Sequence, residues 1–216
     1  CCGHHLNWTG DEDNFEKLME YNIDLFKKSG AKKVVFTCPE CYRTFNSDYQ
    51  DLMGDMEFAL VHISDYIKEL IDTGALKLDC GKASGTFSYH DSCRLGRHSG
   101  IYDSPRELAK AFAGAKFVEM ENTRDKAVCC GVSGWSNCSS QTKKMQLDRI
   151  MEAKKAGASR MLMFCPKCQI HMACAVQDKV PMDKALVDVE LDEFRVAMAG
   201  LLSLMAEPDK GAKQAQ

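Results

Sequence analysis

A chain of 216 residues is long enough to bury a substantial core, in one domain or in two small ones. Its 28 Lys and Arg against 31 Asp and Glu leave a net charge of -3, so no basic excess points to a nucleic-acid partner. The longest nearly apolar run, Val196 to Ala206, falls well short of the roughly 18 residues that a membrane-spanning helix needs.

The chain opens on CCGHHLNWTG, without an initiator methionine, and reads as a fragment. A helix is expected over residues 11–28, where Phe15, Leu18, Met19, Ile23, Leu25 and Phe26 follow an acidic start. KVVFTC then reads as a buried strand ending on Cys38, and CPEC follows. The small, glycine-bounded DCGKASG, residues 79–85, is the expected joint between two units. TFSYHDSC is a second strand, ending on Cys93, and Pro105 opens a helix at a position that proline tolerates. SSQTKKMQLDRIMEAKKAG has the pattern of a helix stopped by Gly157. RMLMFC is a third strand, ending on Cys165, before CPKC, and residues 207–216 look like a solvated, disordered tail. Strands alternating with helices predict an α/β fold with mainly parallel strands, the cysteines lying at the strand ends where such sheets bind ligands.

Self-similarity organises this pattern. Gly30 to Phe45 matches Gly157 to Met172 at an offset of 127, Phe58 to Leu70 matches from Lys184 onward at 126, and Cys1-Cys2-Gly3 falls on Cys129-Cys130-Gly131 at 128. The molecule is therefore expected to be two copies of one unit, residues 1–79 and 85–206. The first copy lacks its opening third, because a counterpart of Cys93 would lie upstream of Cys1.

Twelve cysteines exceed what a core of this size uses by chance, and adjacent pairs are rare in disulfide frameworks. Thiolates around a metal in a reducing, cytoplasmic compartment fit better. In the second copy Cys93 is followed after 35 residues by Cys129 and Cys130, and after 34 more by Cys165 and Cys168. Zinc takes four ligands, which leaves one thiol surplus, whereas a multi-iron cluster lets vicinal thiolates reach different irons. Structural zinc and buried free thiols are the plainer alternatives.

With YHDSCRLGR, CCG and CPKC, this spacing resembles the CCG or cysteine-rich domain of the heterodisulfide reductase B and D subunits over almost the whole chain. CCGVSGWSNC and CPKCQIHMACA are more narrowly similar to the iron–sulfur subunit of membrane-associated electron-transfer complexes in sulfate reducers. The resemblance implies a non-cubane [4Fe-4S] cluster on Cys93, Cys129, Cys130, Cys165 and Cys168. It implies a disulfide or thiol substrate, or a small cysteine-bearing carrier protein, with electrons from partner subunits carrying cubane clusters or haem. Any membrane association would run through those partners, on the cytoplasmic face. Cys1, Cys2, Cys38 and Cys41 form a partial second site, for which an empty state, zinc and a cluster in the full protein stay open.

His90, a proton-donor candidate with Asp91 because disulfide cleavage consumes protons, is equally well read as a structural histidine. Gly131 would let backbone N–H groups approach sulfur. Arg94 and Arg97 could attract an anion, although solvated surface arginines are commoner. His171 reads as a helix-face residue, His4 and His5 as adventitious metal binders, and Met161, Met163 and Met172 as core fillers. Cys80, Cys138 and Cys174 fall outside the spacing. Two other functions compete with sulfur-bond chemistry, namely an electron-relay subunit of a lactate- or glycolate-type oxidation system and a structural zinc-binding docking module. The chain carries neither a glycine-rich dinucleotide fingerprint nor a ferredoxin cysteine run, so any electron input is expected from upstream sequence or another subunit.

Overall fold

A computed structural model describes residues 1–77, 85–112, 116–132, 139–177 and 195–198. Cys80, Cys138, most of the expected joint and the expected tail lie outside the described residues. The first half contains α1 (His4–Thr9), α2 (Glu12–Ser29), β1 (Lys33–Phe36), α3 (Pro39–Arg43), a π-helical stretch (Thr44–Tyr49), α4 (Gln50–Met53), β2 (Ala59–His62) and α5 (Ile63–Asp72). The second contains β3 (Thr86–Tyr89), α6 (Asp103–Phe112), β4 (Lys116–Phe117), a short 3₁₀ turn (Arg124–Lys126), α7 (Ser140–Lys155), β5 (Arg160–Met163), α8 (Pro166–Gln177) and β6 (Arg195–Met198).

All described strand pairings are parallel, in a β1-β2 sheet and a β4-β3-β5-β6 sheet. This is the expected α/β architecture, and each helix between strands supplies the crossover that a parallel pair requires. Strand alternation then sorts the side chains of the larger sheet. Met161 and Met163 of β5 join α7 and α8 in one core, with Ile150, Ala153 and Met172, whereas Leu162, Phe164, Phe87 and Tyr89 form the other, with Leu108 of α6 and Ile67 of α5. The three methionines are fully buried core residues, as expected.

In the first half, α2 buries Phe15, Met19 and Ile23 against Phe36, Phe45, Tyr49 and Phe58. Leu25, which the sequence pattern also placed on the apolar face, is exposed. The positions 15, 19 and 23 are four apart and make a single stripe that excludes it.

Two features depart from simple duplication. Helix α5 follows β2 of the first sheet, yet its Ile67 is buried in the core of the second sheet, so the halves share a core. The strand beside β5 is Arg195–Met198, whereas the sequence match assigns the counterpart of β2 to residues 185–188, which lie outside the described residues. The first lead-in, from β1 to β2, is thus shorter than the second, from β5 to β6. Among the described residues no helix is long and apolar enough to cross a membrane.

Candidate metal centre

Parallel strands deliver their ends to one edge of the sheet, and the cysteines lie there. Strand β3 runs into His90-Asp91-Ser92-Cys93, and β5 runs through Phe164 into Cys165, with α8 starting at Pro166. The Cys165 sulfur accepts hydrogen bonds from the backbone N–H groups of Lys167 and Cys168 at the start of α8. Cys38 does the same with Glu40 and Cys41 at the start of α3, so the two C-P-x-C turns are built alike. The adjacent pairs also correspond: Cys130 accepts from the Val132 N–H and Cys2 from that of His4.

Gly131 follows the pair in a left-handed conformation, φ 83°. Its N–H bonds to the Cys129 sulfur, as expected, and a Cβ there would stand 2.8 Å from the Thr142 carbonyl oxygen of α7. Both the dihedral and the close approach require glycine.

Two arginines and an aspartate fix the loop that leads to the pair. Arg106 and Asp91, both nearly fully buried, form a two-pronged ion pair with N···O distances of 2.6 Å. The second oxygen of Asp91 also accepts the N–H of Arg124 at 2.8 Å, a residue held at φ 56°. Arg97 donates to the carbonyls of Ala127 and Asp125 at 3.0 and 3.3 Å, so it acts as a loop clamp rather than a free anion receptor. Asp91 is likewise occupied in anchoring. His171 contacts the Cys130 carbonyl at 3.1 Å and Gln146 at 2.6 Å, consistent with a helix-face residue that is not a ligand.

All five predicted cysteines of the second half come together. Cys93 and Cys130 both donate to Cys129, and Cys168 donates to Cys130 and to Cys165, so hydrogen bonds link all five thiols. Cys130, Cys165 and Cys168 are buried, and Cys93 and Cys129 are half-buried, so solvent meets the site on the latter side. Donation from Cys130 and Cys93 pulls the Cys129 thiol well below its ordinary value, and donation from Cys168 lowers Cys165. Cys93, Cys130 and Cys168 are raised, first by the thiols they donate to and then by burial.

His90 adjoins this chain. One of its ring nitrogens and the Cys130 and Cys168 sulfurs lie within 4.8 Å of one another. A single zinc takes four ligands, one fewer than the thiols gathered here, so the set fits a group with several metal atoms better than one ion. His90 Nδ1 accepts from Arg149 Nε at 3.1 Å, and its Nε2 is buried with no protein partner. Burial, and then the Arg149 guanidinium, press its pKa down to about 3, so the ring is neutral near pH 7.

In the first half Cys41 donates to Cys2 and Cys38, lowering both, while Cys1 is exposed. The halves meet across their C-P-x-C turns. Lys167 Nζ lies 2.7 Å from Glu40 and 3.0 Å from His5 Nε2, and His4 Nε2 lies 3.4 Å from Glu40. His4, His5 and Glu40 converge enough to hold a cation, and the Lys167 ammonium already occupies that role. Arg94 stacks on the exposed Trp8 ring at 3.9 Å, and Cys38 is near enough to Cys165 to raise it. Cys174 is exposed and apart from the thiol chain, bonded by Lys143 at 3.2 Å.

Sequence reasoning missed Arg149, Arg106 and the Glu40–Lys167 pair. The repeat held one signal: at the offset of 127 Arg149 falls on Asn22, which donates to the Cys1 carbonyl at 2.9 Å.

Residues 1–46 and 87–173 match the family model described as CCG, cysteine-rich domain. The chain is 31% identical over 195 residues to the D subunit of the dihydromethanophenazine:CoB–CoM heterodisulfide reductase of Methanosarcina mazei, covering 88% of this chain and 47% of that protein. It is 36% identical over 135 residues to the EtfAB:quinone oxidoreductase of Syntrophomonas wolfei, covering 62% and 18%. It is 34% identical over 178 residues to the "Probable iron-sulfur-binding oxidoreductase FadF" of Bacillus subtilis, covering 81% and 25%. The chain spans about half the length of the reductase D subunits it matches.

Proposed function

Since the chain belongs to the CCG family of cysteine-rich domains, we propose that it is an iron–sulfur oxidoreductase module with its cluster site in the second repeat. Cys93, Cys129, Cys130, Cys165 and Cys168 would hold a [4Fe-4S] cluster of the non-cubane type. The observation that carries this reading is the unbroken chain of five thiols, one more than a single zinc takes, with His90 beside Cys130 and Cys168 on its buried side. When bound, the cluster supplies electrons and exchangeable iron coordination to sulfur. The substrate is a disulfide or its thiols, consistent with the name of the heterodisulfide reductase relatives, and electrons come from partner subunits.

The protein's own groups have distinct tasks. Half-buried Cys93 and Cys129 define the approach side, with Arg94 held over Trp8 at its rim. Buried Cys130, Cys165 and Cys168 keep water from the far side. Cleaving a disulfide takes two electrons and two protons. His90, held neutral beside Arg149, is a poor acid near pH 7, so those protons are assigned to the open side. Asp91 and Arg97 hold the loop that carries the adjacent pair.

A second reading, electron relay towards a quinone or flavoprotein without sulfur-bond chemistry, is favoured by the likeness to the EtfAB:quinone oxidoreductase. Iron, sulfide and zinc analysis of anaerobically purified protein, with EPR of the oxidised form before and after thiol addition, tests both. About four irons per chain and an EPR signal altered by thiol are expected. Iron with a thiol-insensitive signal selects the relay, and stoichiometric zinc without iron overturns the cluster site.

A further inference from the structure

His90 reaches the thiol chain because of strand alternation. Phe87 and Tyr89 of β3 face one core, so Ser88 and His90 face the other, against α7. From α7 comes Arg149, a fully buried guanidinium. Its Nη1 is fixed by the Asn122 carbonyl at 2.8 Å and by Glu152 at 2.5 Å, while Glu152 itself accepts from the Asn122 backbone N–H and side-chain amide. These contacts leave Nε aimed at His90 Nδ1, 3.1 Å away.

An arginine Nε–H can only donate, so the nitrogen it faces must present a lone pair. The single ring proton of neutral His90 is then confined to Nε2, which is buried without a protein partner. One nitrogen of this ring lies within 4.8 Å of the Cys130 and Cys168 sulfurs, and with Nδ1 taken by Arg149, Nε2 is the one left to face them. Resting on the cluster reading above, we propose that Arg149 is a positioning residue that locks His90 as a permanent Nε2–H donor aimed at the buried sulfurs. The lock excludes His90 as an iron ligand, because the nitrogen that faces the site carries hydrogen. It also makes His90 a device for setting the cluster's potential, since N–H donation to sulfur stabilises the more negatively charged, reduced state. In the first repeat Asn22, at the position of Arg149, serves the Cys1 carbonyl and the Tyr49 hydroxyl instead.

Two substitutions separate the hydrogen bond from the charge. In Arg149→Gln the amide nitrogen stands as many bonds from the backbone as Nε did, so donation to Nδ1 survives without the positive charge. In Arg149→Met it does not. Long-range ¹H–¹⁵N NMR of histidine-labelled, metal-free, reduced protein reads the tautomer directly. His90 is expected as Nε2–H alone in the wild type and in Arg149→Gln, with the Nδ1–H form detectable in Arg149→Met. An Nδ1–H ring in the wild type, or an unchanged spectrum in Arg149→Met, overturns the lock. This arm needs no cluster, so its failure is distinct from failure of the iron–sulfur reading. In iron-loaded protein, EPR-monitored titration should place Arg149→Met at a lower potential than both the wild type and Arg149→Gln; equal potentials in all three overturn the potential-setting role.

Discussion

Replacing Arg106 with methionine removes one partner from the least exposed ion pair at the site. Asp91 would remain buried, with its side chain 2% exposed, keeping only the Arg124 N–H as a hydrogen-bond donor. Stranding one member of a buried pair costs about 3–5 kcal/mol, because the remaining charge has lost water as well as its partner. For a chain of this length that corresponds to roughly 10 °C in melting temperature. The exposed Lys144–Asp148 pair provides the contrast: at 62% and 51% exposure its loss through Lys144→Ala should cost about 0.5 kcal/mol or less. Arg106→Met/Asp91→Asn should recover part of the loss by replacing the stranded charge with an amide. Denaturant unfolding followed by far-ultraviolet circular dichroism measures all three variants. If Arg106→Met falls within about 1 kcal/mol of the wild type, burial is not what makes this pair count and the reasoning fails.

Serine substitution of Cys93, Cys129, Cys130, Cys165 or Cys168 should each lower bound iron, while Cys174→Ser should not; full iron in Cys93→Ser would dismiss the five-ligand assignment. Burial lowers the pKa of His62 to about 4, so the folded state binds fewer protons than the unfolded one between that value and the ordinary 6.5. Its contribution to stability is therefore complete above about pH 6.5 and is lost as pH falls towards 4, at up to about 1.4 kcal/mol per pH unit. His62→Gln should flatten the stability–pH curve in that window, and parallel curves would contradict the assignment. Glu40→Lys should destabilise the chain and Glu40→Lys/Lys167→Glu should restore it, with a coupling of about 1 kcal/mol in a double-mutant cycle. An additive cycle would mean that the pair is incidental.

The strands that lead to cysteines, the helices between them and the gathering of the five thiols were legible because they depend on short-range pattern. Period-2 and period-3.6 runs specify the elements, and parallel strands necessarily bring their ends to one edge. Arg149 was not legible, since an arginine in QLDRIMEA reads as solvated, and only His90, Glu152 and the Asn122 carbonyl, scattered along the chain, make its burial tolerable. The packing of α5 on the second sheet was hidden for a related reason. Its apolar stripe is visible in the sequence, but which sheet it covers depends on the path of the chain. The roles of Asp91 and Arg97 were ambiguous between chemistry and anchoring until their partners, Arg106 and the 124–127 loop, were in place.

The contact between Glu40 and Lys167 joins corresponding positions of the two copies, as contacts near a two-fold axis do. Two identical copies meeting in this way would bring carboxylate against carboxylate, or ammonium against ammonium. The present pairing thus rewards the joining of unlike halves in one polypeptide and penalises either half that meets its own duplicate.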